Sequence, residues 1–171
     1  MMQMLQAGGM EAVTDNQRTA DTDNPKGYYE DERVKNLSKN NEWLKACDGK
    51  VVKIVSLLLF DLPKYFKYRI IFMQRPFSQV IASQNTMLKR LGKEKQIVDP
   101  VVLENGYRKH LDKLDNWLKS RSNIHVLFIP HNDLLENPHR YVEDIAAFLG
   151  KELDTSAMAQ VVDPNLFRQR A

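Results

Sequence analysis

A chain of 171 residues fits one domain, and at that length folding can bury roughly 70% of the surface an unfolded chain exposes, so a real core is possible. Apolar residues make up 43% and charged residues 27% of the chain, average globular usage that excludes fibrous and disordered classes. The net charge of +3 is too small for the broad basic surface of a nucleic-acid binder, and no apolar run approaches the roughly 20 residues of a membrane span.

The charge is unevenly spread. Lys64 to Lys95 holds eight Lys or Arg against Glu94 alone, whereas Glu11 to Glu32 holds seven acids against Arg18 and Lys26. A local positive field of that kind suits a small anionic ligand. Cys47 is the single cysteine, so no internal disulfide or thiolate metal cage is expected, and a reducing, cytoplasmic setting is the simplest reading. No charged stretch followed by an apolar core opens the chain, so no secretion signal is expected.

In chain order, MMQMLQAGGM predicts a short helix ending at Gly8 and Gly9, with no strand in front of it. Thr14 to Tyr29 contains Asn24-Pro25 and Lys26-Gly27, turn dipeptides that predict a loop. Short helices are expected over Asp31 to Leu37 and Glu42 to Ala46. VVKIV, 51 to 55, is β-branched and flanked by Gly49 and Pro63, which predicts a buried strand. RIIFM, 69 to 73, predicts a second. Phe77, Val80, Ile81, Leu88 and Leu91 then fall on one helical face that Gly92 ends. Tyr107, Leu111, Leu114 and Leu118 mark a long helix from about Val101 to Ser120. HVLFI, 125 to 129, predicts a third strand. Asn137-Pro138 supplies a helix cap and first-turn proline, Val142, Ile145, Ala146 and Leu149 the buried face, and Gly150 the stop. Buried strands alternating with helices predict a single α/β domain over residues 1–171, its parallel sheet covered by helices on both faces.

In open parallel sheets, ligands gather beyond the carboxyl ends of the strands, where the next helix offers free amides and a partial positive charge. Arg75 sits at the carboxyl end of the second strand, and Ser83 lies on the side of the following helix that carries Pro76 and Gln79, opposite Val80 and Ile81. A guanidinium fork and a hydroxyl aimed at one point make a phosphate clamp. The same spacing equally fits an arginine that caps the sheet and a serine that is an ordinary small polar residue.

IFMQRPFSQVIASQ resembles the 3′-phosphate motif of the sulfotransferases that use 3′-phosphoadenylyl sulfate, a strand ending in Arg with Ser eight residues later, matched by Arg75 and Ser83. VLFIPHNDLLENPHRYVEDIAAFLG, 126 to 150, is similar to their second conserved block, in which a strand leads to an Asp-Leu turn, a proline-started helix and a terminal Phe-Leu-Gly. DNPKGYYE, 23 to 30, resembles the substrate-side loop of bacterial members, and MMQMLQAGG the helix after their first phosphate-binding loop. One departure is that His131 and Asn132 stand where many relatives have Tyr and Glu. Another is that the first strand and its phosphate loop would lie before residue 1, and no Gly-x4-Gly-Lys-[Ser/Thr] replaces them.

The resemblance implies a P-loop NTPase-like three-layer α/β/α fold with the first strand missing, that strand's place being between the ones matching RIIFM and HVLFI. Either a gap or direct pairing of these two is then expected, together with a tendency to self-associate. It implies 3′-phosphoadenylyl sulfate as co-substrate, no metal, and a small-molecule, glycan or peptide acceptor offering a hydroxyl or amine. Activity of this chain alone is doubtful without the loop that cradles the 5′-phosphosulfate. The alternative is a non-catalytic nucleotide-binding or interaction module on a degenerate sulfotransferase fold. Sulfuryl transfer needs a base near the attacking hydroxyl, and Glu30, ending the substrate-side loop, is the candidate. Glu30, Asp31 and Glu32 equally suit a helix start. Tyr28 and Tyr29 line an acceptor pocket or pack the loop. His110, His125, His131 and His139 have no metal-ligand spacing, and His131 alone is placed to touch a ligand. Arg168 and Arg170 reach the cofactor or form a solvated tail.

Overall fold

The computed structural model describes residues 1–21, 24 and 27–163. In chain order its elements are α1 (Met2–Ala7), β1 (Ala12–Val13), β2 (Val51–Val52), β3 (Tyr68–Gln74), α2 (Phe77–Arg90), α3 (Pro100–Lys119), β4 (Ile124–Pro130), α4 (His131–Glu136), α5 (Pro138–Leu149) and α6 (Thr155–Gln160). Short 3-10 helices lie at Glu32–Asn36, Glu42–Cys47, Ser56–Asp61 and Glu94–Gln96. The two helices expected from 31 to 46 are thus 3-10 in form. Asp31 caps the first, accepting the Arg33 amide at 3.0 Å.

β3 and β4 pair directly and in parallel, Tyr68 opposite Ile124 through Gln74 opposite Pro130. Of the two expected arrangements, gap or closure, closure is what forms. Successive side chains of a strand point to opposite faces. Ile71, Met73, Leu127 and Ile129 pack into a cluster with Met4 and Leu5 of α1, Leu134 of α4, Val142 and Ile145 of α5 and Met158 of α6. Tyr68, Ile70, Phe72, Ile124 and Val126 pack into another with Leu114 and Leu118 of α3 and with Val34, Leu37, Leu59 and Leu62. Ile145 and Leu37 are wholly buried, each contributing about 1.5 to 3 kcal/mol of apolar burial.

Two expectations are corrected. The strand predicted over 51–55 survives only as Val51–Val52, paired with Ala12–Val13 in a separate two-stranded parallel sheet. Lys53 is drawn to the carbonyl of Tyr28 at 2.8 Å, Val55 is 56% exposed, and the chain coils into a 3-10 helix from Ser56. The Asp-Leu turn after β4 is instead the helix α4. Asn137 therefore closes α4, its amide donating to the carbonyl of Asp133 at 2.8 Å, and its side chain makes no cap for α5. Pro138 and Gly150 play the expected parts, Gly150 with φ of 62°. There Arg69 of β3 donates from Nη1 to the carbonyl of Leu149, tying the strand to the end of α5.

Candidate active site

Because Gln74 stands opposite Pro130, Arg75 and His131 leave the sheet side by side at its carboxyl edge, where α2 and α4 begin. Arg75 is half-buried, and burial pulls its pKa down. Its Nε donates to Oε1 of Gln79 at 3.4 Å, while Nη1 and Nη2 have no hydrogen-bond or acidic partner among the described residues. A guanidinium in that condition presents its outer fork to whatever anion reaches the edge. The His131 pKa is pushed down chiefly by burial, against a hydrogen bond to Asn132 that favours the charged form. The positive charges of Arg75 and the Met1 amine push the same way as burial. His131 is therefore neutral at pH 7, its Nδ1 3.2 Å from Oδ1 of Asn132.

Gln79 is the residue that sequence reasoning undervalued. Sequence placed it with Ser83 on the side of α2 away from the apolar face, yet it is buried at 4% exposure, deeper than Val80. Arg75, Gln79 and Ser83 are spaced by four, so Ser83, itself partly buried, lies one turn above Gln79 on the same face. The spacing Arg-x3-Gln was the available signal.

Glu30 shares no hydrogen bond or ion pair with Arg75 or Ser83. Its carboxylate accepts from Lys53 Nζ at 3.2 Å and Arg18 Nη1 at 3.4 Å, and its backbone carbonyl holds the Thr14 hydroxyl and the Asp15 amide. Since Asp31 is the residue that caps the 3-10 helix, Glu30 lies one residue outside it. Tyr28 is buried, its hydroxyl donating to Asp21 at 2.8 Å and its ring lying 3.4 Å under the Arg18 guanidinium. Burial first, then the bond to Asp21, raises the Tyr28 pKa. Tyr29, in the left-handed region with φ of 53°, donates to Gln6 at 2.9 Å and lines an open cleft of about 600 Å³ with Gln3, Gln6, Gln160 and Asp163. Arg75 is not in its wall. Lys53, a lone cation in an apolar stretch, was the second residue missed.

His110 faces Ser56 Oγ at 2.9 Å, while His125 and His139 are exposed. Among the described residues, no three His, Cys, Asp or Glu side chains form a group able to hold a metal ion, and no helix is long and apolar enough to cross a membrane. Arg168 and Arg170, like Asp23, Pro25 and Lys26 of the loop, lie outside the described residues. Comparison with protein families matches residues 51–169 to the family described as Sulfotransferase domain. No curated protein and no solved structure matches the chain significantly.

Proposed function

Because the chain belongs to the sulfotransferase family, we propose that it binds 3′-phosphoadenylyl sulfate at the carboxyl edge of β3 and β4 and serves transfer of its sulfuryl group to a hydroxyl or amine. The observation that carries the reading is Arg75, a half-buried guanidinium whose two outer nitrogens are uncommitted, on the first residue past a parallel strand. Arg75 takes two oxygens of the 3′-phosphate and Ser83 a third. In the transfer, the acceptor oxygen or nitrogen bonds to sulfur, the bond from sulfur to the 5′-phosphate oxygen breaks, and adenosine 3′,5′-bisphosphate leaves. Glu30 receives the acceptor's proton. Lys53, paired with Glu30 at 3.2 Å, orients its carboxylate.

Packing against both faces of β3 and β4 supports a three-layer, P-loop NTPase-like arrangement in one domain. The single cysteine fits a cytoplasmic setting. The test is calorimetric titration of adenosine 3′,5′-bisphosphate into the protein and into Arg75→Ala. Loss of one charge-assisted contact is worth about 1.5 to 3 kcal/mol, so Arg75→Ala binds roughly 10- to 150-fold more weakly. Equal affinity in the two proteins overturns the assignment.

A further inference from the structure

We propose that the turn joining α2 to α3 docks the protein on an anionic lipid surface. α2 ends at Arg90 and α3 opens at Pro100, with the 3-10 helix Glu94–Gln96 between them. Within these few residues Leu91, Val98, Val101 and Val102 stand between 44% and 66% exposed, and none of them joins either core cluster. Single exposed apolar side chains are ordinary, but a group of four on one turn is not. Lys89, Lys93 and Lys95 are interleaved with them and exposed, their ammonium groups without an ion pair or hydrogen bond among the described residues. Against these stand only exposed Glu94 and Asp99, whose carboxylate is occupied by the amides of Val101 and Val102 at 2.8 and 3.3 Å.

The turn also projects. Phe77, at the start of α2, packs against Tyr107 with ring centroids 5.7 Å apart. From Tyr107, α3 runs to the amino end of the sheet, where the Tyr68 amide donates to the Asn123 carbonyl at 2.9 Å. The part of α3 before Tyr107, with the turn that leads into it, therefore stands beyond the carboxyl edge of β3. A protein partner fits this surface poorly, because protein interfaces are depleted in lysine and centre on aromatic or arginine anchors. A second copy fits no better, since Glu11, Glu30, Asp31 and Glu32 of the acidic stretch are already paired with Lys50, Lys53, Arg33 and Lys35. A bilayer accepts the combination: aliphatic side chains enter the headgroup boundary, lysine stems lie along it, and the ammonium groups meet anionic headgroups. A chain held in this way turns the carboxyl edge of β3 and β4 toward the headgroups.

The test is flotation of the full chain with vesicles of phosphatidylcholine alone and with one part in three of phosphatidylserine. Wild type is compared with the triple variant Lys89→Gln, Lys93→Gln, Lys95→Gln and the double variant Val101→Ser, Val102→Ser, all at exposed positions, with melting used to confirm that each folds. Wild type should bind the anionic vesicles about tenfold or more tightly than the neutral ones, and lose that preference in high salt. Each lysine near the surface is worth about fivefold, so the triple variant should bind about 100-fold more weakly. The valine variant should lose about tenfold or more through lost apolar insertion. Failure to bind vesicles, equal binding to both kinds, or unchanged binding in either variant overturns the proposal. So does a wild-type dimer in sedimentation that the valine variant dissolves while vesicles stay unbound, which would make the turn an interface between copies. Binding to polyglutamate as tight as to anionic vesicles, and indifferent to the valine variant, would mark an acidic protein partner and likewise overturn it.

Discussion

Gly8 closes α1 with φ of −74° and ψ of 0°, a conformation any residue adopts, so replacing it by alanine tests packing without backbone strain. Removing the glycine's freedom from the unfolded chain stabilises by about 0.4 to 1 kcal/mol. Against that gain, the new Cβ would stand 2.7 Å from Cγ and 2.8 Å from Sδ of Met158, and 3.4 Å from Cβ of Leu153. Met158 is fully buried against α1 and α5, so it has no open side to move toward, and overpacking of this kind costs about 1 to 3 kcal/mol. The steric cost outweighs the entropic gain, and Gly8→Ala is expected to melt roughly 2 to 8 °C lower, the shift that about 1 to 2 kcal/mol gives at this chain length. Calorimetric melting in a Met158→Ala background isolates the cause. There the alanine methyl enters space already vacated, and Gly8→Ala should be neutral or stabilising, a coupling of about 1 to 3 kcal/mol between neighbours. An equal loss in both backgrounds, or none in the wild type, would refute the tight α1–α6 contact.

Glu30→Gln removes two partly exposed ion pairs, to Lys53 and Arg18, worth together about 0.4 to 2 kcal/mol after screening. Melting should fall slightly, and by less in high salt. With a hydroxyl or amine acceptor, kcat should fall by about 10²-fold or more with cofactor affinity unchanged; turnover within a few-fold of wild type removes Glu30 as the base. His131 and His110 have folded-state pKa values held below that of the unfolded chain, mainly by burial, so the unfolded state binds more protons on acidification. Stability should be level above about pH 7 and decline as pH falls through about 6.5, the free imidazole value. His131→Gln should flatten part of that decline in melts between these values, and an unchanged slope would contradict the burial of the ring. The Tyr68 hydroxyl is buried with no hydrogen-bond partner among the described residues, and burial pushes its pKa up to about 12. Tyr68→Phe should therefore raise stability by up to about 1 to 3 kcal/mol, read from denaturant midpoints; a drop would mean the hydroxyl has a partner.

The parts legible in the sequence were those governed by local pattern. The apolar runs at 69–73 and 125–129 became β3 and β4, the Pro138 and Gly150 signals bounded α5, and the stripe of Tyr107, Leu111, Leu114 and Leu118 became α3. The position of Arg75 was equally readable, because it depends only on where a strand stops. The misreadings arose where distant groups decide. A β-branched run such as 51–55 looks like a strand until Lys53 finds Glu30 and the Tyr28 carbonyl, residues 23 and 25 positions away. Gln79 looks like a surface residue in any periodicity that counts only aliphatic groups, since nothing local announces that the arginine before it will be drawn inward. The contacts from Arg69 to Leu149 and from His110 to Ser56 cross 80 and 54 residues, distances over which a single sequence holds no signal.

The direct pairing of β3 with β4 also has a consequence in time. Partner residues such as Tyr68 and Ile124 are 56 positions apart, so at the ribosome's pace of about 5 to 20 residues per second, β3 is complete roughly 3 to 11 s before its mate is made. Through that interval, while α2 and α3 are being made, an apolar strand waits without its partner, long enough for many rounds of helix formation and collapse on microsecond scales. The nascent chain is therefore most open to chaperones, and to pairing with a neighbouring nascent copy, during synthesis of residues 75 to 123. Slow codons placed within that stretch should lower the soluble yield, and slow codons placed after residue 130 should not.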